Sequence, residues 1–326
     1  MKKLQQSGYL CNPQQAYTLR RVTLLEGRAK GATVIEVCTA GGLQVDIMAD
    51  SGLDIGQVRY KGTNMTWISK NGYDSPARFI PYENEFLKTF SGGMVYTCGL
   101  RSNGGGHRDD NGEWHPLHGR YHGLAADQIA AYEENNTIII KGTMRETSLF
   151  GEALELKRTI TIPVFGAEIT ISDAITNLNP TEEGYTLLYH CNFGYPLVCP
   201  DAVVELPEKR KTTARTPFAE TCLGREHTFE EPRPGEEERV FFHENMERKV
   251  SLTNKAIGTK MTLTWSDTLP ILGHWRSMAS GDYVCGLEPT NCYIMGRKYE
   301  RENGTLPVLA PYETVNTQMT FCFETI

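Results

Sequence analysis

The chain has 326 residues, 40% of them hydrophobic, and a net charge of −7. That length accommodates one large core, and an acidic balance with no concentrated basic face excludes nucleic acid as a partner. The opening MKKLQQSGYLCNPQQ has two lysines but no apolar run behind them, so no secretory leader is expected. No later segment holds the roughly 18 uninterrupted apolar residues of a membrane span, and the expected location is cytoplasmic. Nine scattered cysteines without a Cys-x-x-Cys pair predict reduced thiols rather than a disulfide framework or a zinc knuckle.

Taken in order, the chain lacks long helical periodicity. Short alternating or continuous apolar runs recur between Gly, Asn, Asp and Pro, which is an all-β pattern. Strands are predicted over 32–38 and 43–48, joined by Thr39-Ala40-Gly41-Gly42, and then over 53–60, ending at Lys61-Gly62. A loop with Pro76 and Pro81 leads into a helical turn over 84–88. Residues 91–123 then crowd His107, His115, His118 and His122, four of the eight histidines, into a glycine-rich passage with Arg101, Arg108, Arg120 and Trp114. Further strands are predicted over 125–132, 137–144, 153–163, 167–177 and 185–190. Alternation in Thr159-Ile160-Thr161-Ile162 and Ile169-Thr170-Ile171 places one face on a core. Residues 207–235 are polar and change charge sign, as a solvated insertion or lid would. The last third gives strands over 248–254, 260–265, 271–275, 283–288 and 314–323. With no repeat and no linker, one large antiparallel β-sandwich forming a single domain over 1–326 is expected.

The histidine passage invites a metal. His118 and His122 are four apart, but Pro116, Gly119 and Gly123 argue against a helix that would align them, and no acidic ligand sits in a recognisable motif. No metal is therefore expected. Gly104-Gly105-Gly106 lacks the Gly-Lys-Ser/Thr of a phosphate loop, no Gly-x-Ser-x-Gly elbow exists, and Cys98 lies in an apolar strand context that favours burial. General acid and base work between distant strands remains. His190 in LLYHCNFG and Glu288 in VCGLEPTN each interrupt an apolar run with a titratable group.

At these residues the sequence resembles the aldose 1-epimerase (galactose mutarotase-like) superfamily, and within it a subfamily named only as a domain of unknown function. The resemblance is carried by Gly52-Leu53-Asp54-Ile55-Gly56, FSGGMVYTCGL over 90–100, Leu117-His118-Gly119-Arg120, Tyr189-His190-Cys191-Asn192-Phe193-Gly194 and Gly286-Leu287-Glu288-Pro289, in this order along most of the chain. It implies an antiparallel galactose mutarotase-like sandwich with few short helices, whose concave face holds an aldose. It also implies His190 as general acid on the ring oxygen, Glu288 as base on the anomeric hydroxyl and His118 as a sugar-binding histidine. Arg101, Arg120, Asn192 and His122 complete the expected substrate-binding set. The family's substrate-binding aspartate has no clear counterpart: Asp54 reads as structural, and Asp282 is only a bare candidate.

Such chemistry interconverts α and β anomers by ring opening and closing and needs no cofactor. A carboxylate facing an imidazolium is expected to stabilise the other's charge. The competing functions are a non-catalytic carbohydrate-binding or regulatory module of the same fold, and a metal-dependent sugar isomerase or lyase. The expected partner is a small-molecule carbohydrate, with no nucleic acid and no membrane, and a homodimer stays open.

Overall fold

Alternation along the sequence becomes alternation across sheets. The computed structural model describes residues 2–326, so Met1 of the opening stretch lies outside the described residues. Strands Tyr17–Thr23, Thr33–Thr39, Leu43–Met48, Asp54–Tyr60 and Thr63–Asn64 form a five-stranded antiparallel meander in chain order. An eight-stranded antiparallel sheet includes the long strands Thr137–Thr147, Ala153–Pro163, Glu168–Asn177 and Thr314–Thr325. In Glu168–Asn177 every second side chain, from Ile169 to Asn177, is buried, the period-2 signature of a strand with one face on a core. A seven-stranded sheet runs Lys211–Ala214, Arg239–Glu244, Ile271–Ala279, Asp282–Thr290, Thr186–His190 and Tyr96–Leu100, with Asn192–Phe193 also pairing to Asp282–Thr290.

The protein is thus an all-β antiparallel sandwich with only four short α-helices among the described residues. A contiguous apolar core reaches from Ile35 and Leu53 through Ile160 and Ile171 to Phe321. The strand Tyr17–Thr23 has no forerunner in the sequence reading. It sits at the edge of the meander with Arg20 and Arg21 exposed, as sheet edges commonly carry charge, so it lacks a buried stripe. The stretch 207–235 is less solvated than expected, because it folds as strand Lys211–Ala214 and helix Pro217–Glu220, with Ala219 and Cys222 packed on Phe241.

Between the sheets lies a buried ionic network. Arg158 Nη1 donates to Asp54 Oδ1 at 2.5 Å, and Arg158 Nη2 donates to Asp173 Oδ2 at 2.8 Å and to Thr97 Oγ1 at 2.9 Å. Tyr189 donates its hydroxyl to Asp173 at 2.6 Å, and the Thr97 amide donates to Asp54 at 2.7 Å. This network ties all three large sheets together, and it gives Asp54 a structural role. All nine cysteines are free thiols, with Cys98 fully buried. No helix among the described residues is long and apolar enough to cross a membrane.

Candidate active site

Two strands of the seven-stranded sheet supply the centre. Leu188 pairs with Thr290 and Asn192 with Gly286, a register that sets His190 directly opposite Glu288. Side chains alternate across the sheet, so Tyr189 points to the ionic network while His190 points the other way, into a cavity of about 510 Å³. His190 Nδ1 and Glu288 Oε1 are 3.2 Å apart on its floor. Room for the carboxylate comes from glycine. A Cβ at Gly286 would lie 2.4 Å from Glu288 Oε1, and one at Gly273, the cross-strand partner of Glu288, would lie 3.2 Å from Oε2.

His118 reaches the same cavity from the glycine-rich loop. It adopts φ 59° and is followed by Gly119 at φ 79°. A Cβ at Gly119 would stand 2.2 Å from the Ser102 carbonyl oxygen, so only glycine allows the turn to close at that point. The His118 amide donates to the Gly104 carbonyl at 2.8 Å, and its ring lies edge-on to His190 at 5.1 to 5.6 Å from the Phe86 and His190 rings. Trp67 and Trp275, in edge contact at 5.8 Å, form an aromatic wall.

Burial outweighs pairing in setting the protonation states. Desolvation pushes the Glu288 carboxyl up to about 8 and drives His190 well below the usual imidazole value, with neighbouring His118 adding to the depression. His118 falls to about 4, mainly by burial and secondarily through Arg215. The ligand-free pair at neutral pH is therefore a carboxylic acid beside a neutral imidazole, not the carboxylate and imidazolium expected from charge pairing. Charges taken out of water cost more than one close contact returns unless further hydrogen bonds satisfy them. Here neither His190 Nδ1 nor Glu288 Oε1 has a hydrogen-bond partner.

The structure brings His118, His190 and Glu288 together, whereas the other expected binding residues do not line the cavity. Arg101 is held by Glu183 and by Glu113 at 3.0 Å. Arg120 donates to the Trp114 carbonyl at 2.9 Å. Asn192 donates to the carbonyls of Gly93 and His190, both at 2.9 Å, so it fixes backbone rather than ligand. His122 Nδ1 lies 3.0 Å from Asp54 Oδ2, and its ring stacks on Tyr96 at 3.5 Å, which makes it a rim member of the ionic network. Of the four clustered histidines, only His118 faces the cavity. His107 is fixed as a tautomer: its Nδ1 lies 3.0 Å from the Gly105 carbonyl and its Nε2 accepts from the Lys298 amide at 3.2 Å.

At the mouth, Arg215, Glu238 and Lys70 have no sequence signal, whereas Asp282 is the aspartate the resemblance offered as a bare candidate. Arg215 pairs with Glu238 at 3.2 Å, and Glu238 accepts from Trp275 Nε1 at 2.8 Å. Lys70 pairs with Asp282 at 2.6 Å, and all four charged groups line the cavity. Arg215 lies within the sign-changing stretch that reads as solvent-exposed, and Glu238 just beyond it. Only the pairing of Lys211–Ala214 with Arg239–Glu244 turns that stretch back over the site.

The antiparallel sandwich that carries this cavity has the galactose mutarotase-like fold. The chain belongs to the family described as "Domain of unknown function (DUF4432)", which it matches over residues 29–322. Its fold is shared by a protein of Klebsiella pneumoniae subsp. pneumoniae MGH 78578 provisionally named an aldose 1-epimerase, with a TM-score of 0.88 at 20% identity, covering 96% of this chain and 86% of that one. A galactose mutarotase-like protein of Clostridium acetobutylicum superposes with a TM-score of 0.65 at 12% identity, covering 96% and 100%. Galactose 1-epimerase of Lactobacillus acidophilus NCFM gives 0.64 at 13% identity, covering 95% and 99%. No curated protein matches the sequence.

Proposed function

We propose that the protein is an aldose 1-epimerase that interconverts the α and β anomers of a free aldose, with His190 as acid and Glu288 as base. The observation that carries this reading is the opposed His190 and Glu288 pair, 3.2 Å apart on the floor of the cavity. The two oxygens that must exchange a proton, the anomeric hydroxyl O1 and the ring oxygen O5, sit on one carbon, so their catalysts must be close neighbours.

The pair carries one proton at neutral pH, held by Glu288 in the ligand-free site. Passing it to His190 yields the carboxylate and imidazolium that ring opening needs. The hydroxyl and ring oxygen of a bound sugar favour that charged form by hydrogen bonding. Glu288 then takes the O1 proton while His190 protonates O5, the C1–O5 bond breaks, and an open-chain aldehyde with a free O5 hydroxyl results. Rotation about C1–C2 presents the other face. On closure His190 takes the O5 proton, O5 attacks C1, and Glu288 returns a proton to O1. Trp67 and Trp275 offer apolar faces to the sugar's C–H bonds, and the Arg215–Glu238 and Lys70–Asp282 pairs offer donors and acceptors to its hydroxyls. The proton balance closes within the pair, so the scheme calls on no cofactor.

The test follows anomer exchange across a panel of aldoses by NMR or polarimetry. The expected result is acceleration for at least one sugar, with His190→Asn and Glu288→Gln each slower by roughly 10² to 10⁴. No acceleration across the panel, or full activity in both variants, refutes the proposal, and tight sugar binding without exchange identifies a binding module instead.

A further inference from the structure

A second constellation lies outside the sugar cavity, on the two-stranded ribbon formed by His107–Arg108 and Trp114–His115. His115 is completely buried, yet both of its ring nitrogens lack a hydrogen-bond partner. Its Nε2 faces two carboxylates, at 3.6 Å from Asp109 Oδ2 and 3.8 Å from Glu113 Oε2. These separations are too long for hydrogen bonds. They are close to the roughly 3.4 Å that separates neighbouring ligand atoms of a tetrahedron with zinc bonds of about 2.0–2.2 Å. The ligand atoms of all three residues lie within 4.8 Å of one another.

Asp109 is oriented from behind, as metal ligands usually are. Asp109 Oδ1 accepts from the amides of Asn111 and Glu113, both at 2.9 Å, which leaves Oδ2 turned toward His115. Glu113 Oε2, the oxygen that faces His115, accepts from Arg101 Nη2 at 3.0 Å, which holds it beside the imidazole. His107 stacks on His115 at 5.0 Å, but both of its nitrogens are engaged, so it supplies no ligand. The geometry points to a divalent metal site formed by Asp109, Glu113 and His115, with zinc as its best match. One imidazole and two carboxylates suit a borderline transition ion rather than calcium, and three protein ligands leave a position for water. The sequence argues against a metal because no acidic ligand sits in a recognisable motif beside the histidines. The acidic partners are two and six residues upstream of His115, across the turn. The ribbon runs directly into Leu117 and His118, so a bound ion fixes the loop that carries His118 into the cavity.

The experiment strips the full-length protein with a chelator and titrates it with Zn²⁺ alone by calorimetry, with Ca²⁺ as comparison. One equivalent of zinc is expected to bind at micromolar affinity or better, to raise the thermal midpoint, and to exceed calcium. Asp109→Asn and Glu113→Gln should each weaken zinc by more than roughly 100-fold, beyond what loss of an outer-shell partner costs. Asp110→Asn, whose parent side chain pairs with Lys298 on the surface, should leave zinc affinity unchanged. Circular dichroism of the stripped variants should match the stripped parent, which separates a lost ligand from a lost fold. Absence of saturable binding, retention of zinc by the Asp109→Asn/Glu113→Gln double variant, or equal weakening by Asp110→Asn each overturns the assignment.

Discussion

Replacing Glu288 with glutamine should stabilise the protein while disabling it, and the stabilisation should grow with pH. The carboxyl titrates at about 8 in the folded chain against 4.5 ordinarily, because it is buried beside glycines and aromatic rings. Between those values the folded state keeps a proton that the unfolded state has released, so raising pH favours unfolding by about 1.4 kcal/mol per unit. The folded chain therefore bears a cost of about 2 kcal/mol at pH 6, about 4 kcal/mol at pH 8 and about 5 kcal/mol above it. Glutamine has nearly the same shape and no charge to desolvate, and Glu288 Oε1 has no hydrogen bond to lose. Urea unfolding of parent and variant at pH 5, 6.5 and 8, with the difference taken at each pH, isolates this one group because other titrations cancel. A gap that widens toward alkaline pH is expected. A variant no more stable than the parent at pH 8, or a gap that stays flat from pH 5 to 8, refutes the claim that burial dominates at this carboxylate.

The same proton count sets a rate profile. Anomerase kcat/KM should fall above about pH 8 as Glu288 loses its proton, and fall again at acid pH, below the usual histidine range, when His190 gains a second one. Both limbs belong to the coupled pair, so residual activity of Glu288→Gln should lack the alkaline limb, and an unchanged limb in that variant counts against the assignment. Arg158→Met should destabilise by about 3–5 kcal/mol, because it strands Asp54 and Asp173 as uncompensated buried carboxylates. Chemical denaturation measures this, and a loss below 1 kcal/mol would show that the network is dispensable.

Much of the fold is legible in the sequence because β-strands that bury one face must alternate, and 153–163 and 167–177 do so strongly. The strand Tyr17–Thr23 is not, since an edge strand with exposed arginines buries too little to leave a stripe. For the site, His190 and Glu288 are individually visible as titratable groups in apolar runs. Their direct opposition is invisible, because it depends on a strand register between segments almost 100 residues apart. The glycine-rich passage misleads for the converse reason. Its histidines are close in sequence, but positive φ at His118 and Gly119, followed by the 3-10 turn Tyr121–Gly123, sends His118 and His122 to different places. Arg215 and Glu238 are missed because a polar stretch of mixed charge carries no sign of which end folds back over a cavity.

The two faces of the site sheet explain why a desolvated acid and base can be held so close together. On one face of Thr186–His190, Tyr189 is locked to Asp173 and, through it, to Arg158. On the adjacent strand Thr97 is locked to Asp54. On the opposite face the same backbone presents His190, with Phe90 and Trp275 at 5.2 and 5.3 Å from its ring. A register slip of one residue would exchange the faces, burying His190 against the carboxylates and turning Tyr189 into the cavity. The ionic network therefore sets the geometry of the His190–Glu288 pair from a distance by forbidding that slip. Burial of Glu288 as an acid thus faces a partner strand, Thr186–His190, that is fixed in register by that network.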